Sequence, residues 1–339
     1  CWALARAYSP EVLRPYVHDL ATSLAVAAVF DREVNGRRAA SAAFQEHVGR
    51  QGCFPHGIDI VTKADYFSLC NRSNAFTHVA VYIAGFDEYR DALVNSVVRV
   101  SLRHWDKAVR DLAAQALGKL MELVAVSPDG NTRVGHVLDE LVAKTLDADL
   151  ATRHGATVGL AETVLGLSRV RPIKETLEPP RIKLVVNTVP GIEKARLYRG
   201  RGGEMLRGAV CQLLEATADG RVPLTKSALL KLWVCVEENL RHPIEDISSA
   251  AVAAARGLSQ RFIGDLKPEL VTVARKMLHV VATDDNPGAV RGFVSAVGRL
   301  PRWCLVQLRE ELLPVLLECA GGRPGEEEGD PESRRNATV

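Results

Sequence analysis

His56, Asp59 and Asp65 fall within ten residues of one another and offer an imidazole and two carboxylates, the groups that acid–base chemistry uses. They sit in a stretch, Gln51 to Lys63, where two Gly and one Pro argue for a loop. Ionisable residues in loops are more often solvated or contact groups than catalysts. Gly200, Gly202 and Gly203 precede a helical segment, but the run lacks the Lys-Ser/Thr pair and the preceding strand that a phosphate loop requires. The nine His never stand at i, i+4 with Glu between, and Gly-x-Ser-x-Gly is absent, so neither a zinc hydrolase nor a serine hydrolase is supported. An arginine finger in cis would need an exposed Arg on a rigid loop, for which Arg50 and Arg103 are the candidates. Arg153-His154 reads as a structural element with a half-buried imidazole. Trp105 stands at a helix junction, a place for a core side chain or an interface anchor. The sequence asks for no metal or organic cofactor, and the reading is of a non-enzyme.

Composition bounds the remaining classes. The 339 residues are 47% hydrophobic and 25% charged with a formal charge of +2, ordinary for a folded protein that is not a membrane span. So even a charge balance argues against nucleic acid as the main partner. The longest apolar run, Leu20 to Phe30, is too short to cross a bilayer. Seven scattered Cys without Cys-x-x-Cys read as free thiols, mostly buried. The triplet Asn336-Ala337-Thr338 falls in a tail expected to stay unglycosylated. Cys1 to Tyr8 reads as the end of a helix already under way, as in a piece of a longer chain.

What would position these residues is a repeat. Glu33, Arg37, Ala43 and Phe44 recur as Asp106, Arg110, Ala116 and Leu117, and again as Asp149, Arg153, Gly159 and Leu160. Weaker copies surround Arg207 and Arg291, and Ala250 to Leu258 resembles them without the Arg. Arg110 and Arg153 are 43 residues apart, and steps of 42 link Arg207, Ser249 and Arg291. Arg72 would mark a degenerate unit between Arg37 and Arg110. Such a period belongs to HEAT and armadillo repeats. An acid four residues before Arg makes a favourable pair on one helix face, and small residues opposite let the next helix approach. The expected fold is therefore all-α, a HEAT/armadillo-like α-solenoid superhelix of about seven or eight helical pairs over residues 1–320. Ser9-Pro10 should open a helix that Asn35-Gly36 breaks. An irregular insertion is expected near 171–192, where Ile182 to Val186 could be extended, and 321–339 should be a disordered polar tail.

The run Val29 to Ile60 closely resembles a stretch of the tubulin-folding cofactor D family. So do Ala64-Asp65-Tyr66-Phe67, Asn71-Arg72-Ser73-Asn74, Ile83-Ala84-Gly85-Phe86, His104-Trp105-Asp106, and Leu197 to Gly200 with Gly202-Gly203. The likeness is dense to about Leu167 and patchy to about Arg335. It places the chain in the C-terminal portion of that family, with 171–192 poorly matched and a final helix missing or replaced after Arg335.

The resemblance implies a non-enzymatic scaffold chaperone of HEAT/armadillo type. Such a protein binds β-tubulin and works with tubulin cofactors E and C and an ADP-ribosylation-factor-like small GTPase. It assembles and dismantles the αβ-tubulin heterodimer and promotes GTP hydrolysis by tubulin within the complex. It implies a cytoplasmic location at the microtubule cytoskeleton and the centrosome. The candidate contacts are Phe54, Ile58 and Tyr66 as anchors, Arg50, His56, Asp59 and Asp65 for orientation, and His104 with Trp105. The alternative is a solenoid adaptor or transport scaffold for linear peptides. That would place regularly spaced Asn and Trp down the third helix of each unit, and the sequence shows no such ladder.

Overall fold

In a computed structural model, residues 1–200, 202–321 and 331–338 are described, and among them no residue lies in a strand. The chain divides into two compact units, Cys1–Pro172 and Ile173–Val339. The division falls at the start of the stretch expected to be an irregular insertion.

The first unit begins with α1 (Trp2–Ala7), and Ser9-Pro10 opens a short turn ahead of α2 (Val17–Phe30). α3 (Val34–Gln51) follows at once. The break is thus at Asp31–Glu33, three residues before the expected Asn35-Gly36. The Asp31 carboxylate accepts from the Glu33 amide at 2.8 Å and fills the space a Cβ at position 36 would need. Gly36 therefore belongs inside the helix, leaving room for the turn before it.

The stretch read as a loop is half helical: α4 (Gly57–Lys63) runs back along α3. It ends where Ser41 Oγ donates to the Ala64 carbonyl at 2.6 Å. Helical residues 72–84 form α5, with a π-helical bulge at Ala75–Val79. Lys119 donates to the Thr77 carbonyl inside that bulge at 3.0 Å. A π-bulge leaves a main-chain acceptor short of its usual partner, and the ammonium supplies one. α6 (Asp87–Arg99), α7 (Lys107–Ala125), α8 (Gly130–Lys144) and α9 (Leu150–Val170) complete the unit. α9 lies tight against α7 where Gly118 and Gly166 present no Cβ, and against the turn before α7 where Gly155 and Gly159 face Leu102.

The recurrent Arg has a partner other than the expected acid. Arg37 Nη1 donates to the carbonyls of Asp31 and Arg32, at 2.9 and 3.0 Å. Arg110 Nη1 reaches His104 and Trp105 at 2.7 and 2.9 Å, and Arg153 Nη1 reaches Asp147 and Ala148, both at 2.8 Å. Each guanidinium bonds the carbonyls six and five residues upstream and so locks the turn that enters its own helix. The acids at i−4 sit at the helix start: Asp106 accepts from the Ala108 amide and Asp149 from the Thr152 amide. Arg90 makes the same contact with Ala84 and Gly85, although Phe86 stands four residues before it and its acid partner is Asp87 at i−3. Arg72 does not; it reaches Asp106 instead.

In the second unit, α10 (Pro179–Lys194) replaces the extended segment expected at Ile182 to Val186. Pro179 and Pro180 sit in its first turn, where a missing N–H costs nothing, and Pro190 lies inside it. α11 (Gly203–Asp219), α12 (Lys226–Leu240), α13 (Glu245–Ser259), α14 (Lys267–Thr283), α15 (Pro287–Val297), α16 (Arg302–Gln307) and α17 (Arg309–Gly321) follow. A last helix, α18 (Pro331–Thr338), stands where a disordered tail was expected. The rest of that tail, 322–330 and 339, lies outside the described residues. Hairpins α12/α13, α14/α15 and α17/α18 stack so that α11, α13, α15 and α18 form one layer. Each unit is thus built as an all-α HEAT/armadillo-type stack of helical hairpins.

The weaker Arg copies behave differently. Arg207 donates to Asn239 Oδ1 at 3.0 Å and lies over the Tyr198 ring, while Arg291 pairs with Glu332 of α18. Of the seven thiols, three are buried (Cys211, Cys235 and Cys304), and Cys1 and Cys70 are exposed. Burial pushes the Cys211 thiol up to about 12, which leaves it protonated and inert at neutral pH.

Candidate partner-binding surface

The candidate residues divide between the two ends of α3. At its start, the Arg37 side chain gathers three segments. Besides Asp31 and Arg32, it bonds the Leu69 carbonyl at 2.8 Å through Nε and the Cys70 carbonyl at 3.0 Å through Nη2. This pins the segment carrying Asp65 and Tyr66 to the α2–α3 turn. Arg32 in that turn then reaches Asp106 at 3.4 Å, and Arg72 reaches the same oxygen at 3.7 Å, which brings in the turn carrying His104 and Trp105.

The result is a face with large exposed rings held by arginines. Trp105 is 70% exposed, with the Arg32 guanidinium 4.5 Å over its ring and His104 beside it at 5.4 Å. It is a surface residue, not the core residue its hydrophobicity suggested. Tyr66 lies under the Arg38 guanidinium at 3.6 Å and meets Phe67 edge-on at 5.5 Å, Phe67 being 82% exposed. Asp65 accepts from the amide and hydroxyl of Ser68, and these bonds hold its carboxyl below the usual range. His104 Nδ1 accepts from the Asp106 amide at 3.0 Å, which fixes the ring and leaves Nε2 as the protonated nitrogen when the imidazole is neutral. The arginines present flat, pre-oriented cations over aromatic faces, the arrangement from which hot-spot contacts are built.

The other end of α3 carries the remaining candidates, about 25 Å away along the helix. Phe54 is buried, edge-on to Phe44 at 5.0 Å and stacked on His47 at 4.9 Å, so it cannot anchor a partner. His56 adopts φ +50°, stacks on Phe86 at 4.1 Å and sits 3.6 Å from Glu88. Tyr89 donates to the Pro55 carbonyl at 2.7 Å and holds this turn from below. Ile58 is 75% exposed and Asp59 is open beside it. Arg50 pairs with Glu46, which also takes Arg6 at 2.9 Å. The carboxylate that meets His56 is Glu88, not Asp65, which is bonded to Ser68.

Arg32, Arg38, Phe67 and Arg72 were not among the contact residues expected from the sequence. The adjacent aromatics Tyr66-Phe67, flanked by Asp65 and Ser68, were the one legible signal for Phe67. Among the described residues no group of three or more His, Cys, Asp or Glu could hold a metal, and no helix is long and apolar enough to cross a membrane.

Residues 1–58 match the family described as tubulin-specific chaperone D-like, ARM repeats. Tubulin-specific chaperone D of Dictyostelium discoideum is 31% identical over 219 residues, covering 63% of this chain. Over that stretch the chain is similar to tubulin-specific chaperone D. Tubulin-folding cofactor D of Schizosaccharomyces pombe is 28% identical over 165 residues, or 49% of this chain. In both cases the chain spans 14% of the relative's length. Among solved structures, an engineered protein aligns over 99% of this chain and 96% of its own at 14% identity and a TM-score of 0.31, too low for an architectural parallel.

Proposed function

We propose that this chain is a tubulin-binding part of a tubulin-folding cofactor, a scaffold chaperone without catalysis of its own. The observation that carries the proposal is its 31% identity over 219 residues to a relative named tubulin-specific chaperone D. In this reading it holds β-tubulin while the heterodimer is assembled or taken apart, together with tubulin cofactors E and C and an ADP-ribosylation-factor-like small GTPase. Promotion of GTP hydrolysis by tubulin belongs to the assembled complex, and the working place is the cytoplasm at the microtubule cytoskeleton.

The Trp105/Tyr66/Phe67 face supports this role. Holding a subunit whose dimer interface is open requires exposed apolar anchors inside a polar rim. Arg37 and Arg110 lock the turns that carry this face in advance, so little ordering cost falls on binding. The His56/Ile58/Asp59 end is the second face of the same proposal, smaller in aromatic area.

The test is binding of purified αβ-tubulin to the full chain, wild type against the triple variant Tyr66→Ala, Phe67→Ala, Trp105→Ala. The rings are exposed, so thermal stability should change little, while affinity should fall at least about tenfold. A wild-type chain that captures no tubulin, with or without the small GTPase, would retire the reading. A triple variant that binds as wild type, paired with a weak His56→Ala, Ile58→Ala, Asp59→Asn variant, would move the contact to the other end of α3.

A further inference from the structure

A groove of about 690 Å³ runs along the layer formed by α13, α15 and α18 in the second unit. Its size lies within the range of clefts that bind ligands. The floor is made of short side chains, among them Ser249 and Ala253 of α13 and Gly288 and Ser295 of α15. The α15 stretch from Gly288 to Arg299 gives a length of about 16 Å, enough for about five residues of extended chain. Such a floor has no deep apolar socket for an amphipathic helix. Hydroxyls and bare backbone instead suit a main chain laid flat on them.

Charge lines this floor. Four arginines, Arg256, Arg291, Arg299 and Arg335, face the groove against two glutamates, Glu245 and Glu332. Glu332 is taken by Arg291, and Arg256 leans toward Glu215 and Asp219 of α11 at 3.4 and 3.8 Å. Arg299 and Arg335 have no ion-pair partner among the described residues and are exposed. Two open guanidiniums above a floor of small residues make a receptor for carboxylates carried on a thin backbone, since guanidinium and carboxylate pair by two parallel hydrogen bonds.

We propose that this groove binds a short acidic peptide segment in extended conformation, with Arg299 and Arg335 taking its carboxylates. The site lies wholly in the second unit, uses none of the residues of the Trp105 face, and stands or falls apart from the tubulin reading.

The experiment uses the full chain and a fluorescein-labelled hexaglutamate peptide, followed by fluorescence anisotropy. The expected result is saturable binding that the double variant Arg299→Glu, Arg335→Glu weakens at least about tenfold. The double variant Arg14→Glu, Arg103→Glu, with the same change in net charge on the first unit, should bind as wild type. Equal loss in both variants would show a diffuse charge effect and overturn the site, as would absence of binding to the wild-type chain. Tighter binding of a single-stranded oligothymidylate, lost in the same variant, would overturn the peptide assignment in favour of nucleic acid.

Discussion

Among the buried polar contacts of the first unit, His154 of α9 meets Arg110 of α7. Its Nδ1 accepts from Arg110 Nε at 3.1 Å, and the ring is almost wholly buried. Burial, then the Arg110 charge, depresses its pKa to about 3. In the unfolded chain the same group titrates near 6.5. The native state therefore binds fewer protons than the unfolded state between these values, and stability, full above about pH 6.5, falls as pH drops toward 3. Between pH 7 and pH 5 the loss is about 2 kcal/mol. In His154→Gln an amide oxygen can still accept from Arg110, but nothing titrates. Urea unfolding at the two pH values should show the variant losing about 2 kcal/mol less than wild type; equal losses would mean that the ring is not held neutral. The Arg side chains were legible by spacing, yet their partners were not. A guanidinium takes whichever acceptors the turn leaves open, and here these were carbonyls six and five residues back. Arg90 was missed because the acid taken as its marker is a helix cap that its own copy lacks.

At the scale of helices, α9 packs closely on α7 at one point and on the turn before α7 at another. A Cβ on Gly166 would run into the Gly118 carbonyl, and one on Gly155 into the Leu102 carbonyl. Backbone cannot swing aside as a side chain can, so Gly166→Ala should cost about 2–3 kcal/mol. Gly208, inside α11, has open space where its Cβ would be. There Ala removes only unfolded-state freedom, and Gly208→Ala should add about 0.5–1 kcal/mol. Urea midpoints for the pair check both signs, and a neutral Gly166→Ala would mean that the two helices are not in such close contact. Long helices such as α7 and α9 could be read from their length and the recurring Arg pattern, although their Asp residues act as caps and not as the expected Arg partners. α4 and α10 could not, because Gly57, Pro179 and Pro180 read as breakers. In place they occupy first turns, where a helix asks nothing of their N–H groups.

Across the whole molecule, 43 basic residues oppose 41 acidic ones, so the chain projects little net field beyond its surface. Capture of tubulin should then proceed at the unsteered rate of roughly 10⁵–10⁶ M⁻¹s⁻¹. The repeat period exposed the architecture, since stacking needs the same contacts in each unit. Which rings stayed outside depended on contacts between turns far apart in sequence. Trp105 is outward because its backbone turn is locked by Arg110, and Phe54 inward because His47 and Phe44 receive it. A ring held by Arg32 before binding gains its contact area only in the docked complex and loses it only on leaving. Trp105→Ala should therefore raise the dissociation rate from tubulin at least about tenfold and leave the association rate within about threefold. Biolayer interferometry with immobilised tubulin separates the two rates. A loss confined to association would assign capture to the arginines of this face and leave the rings as bystanders.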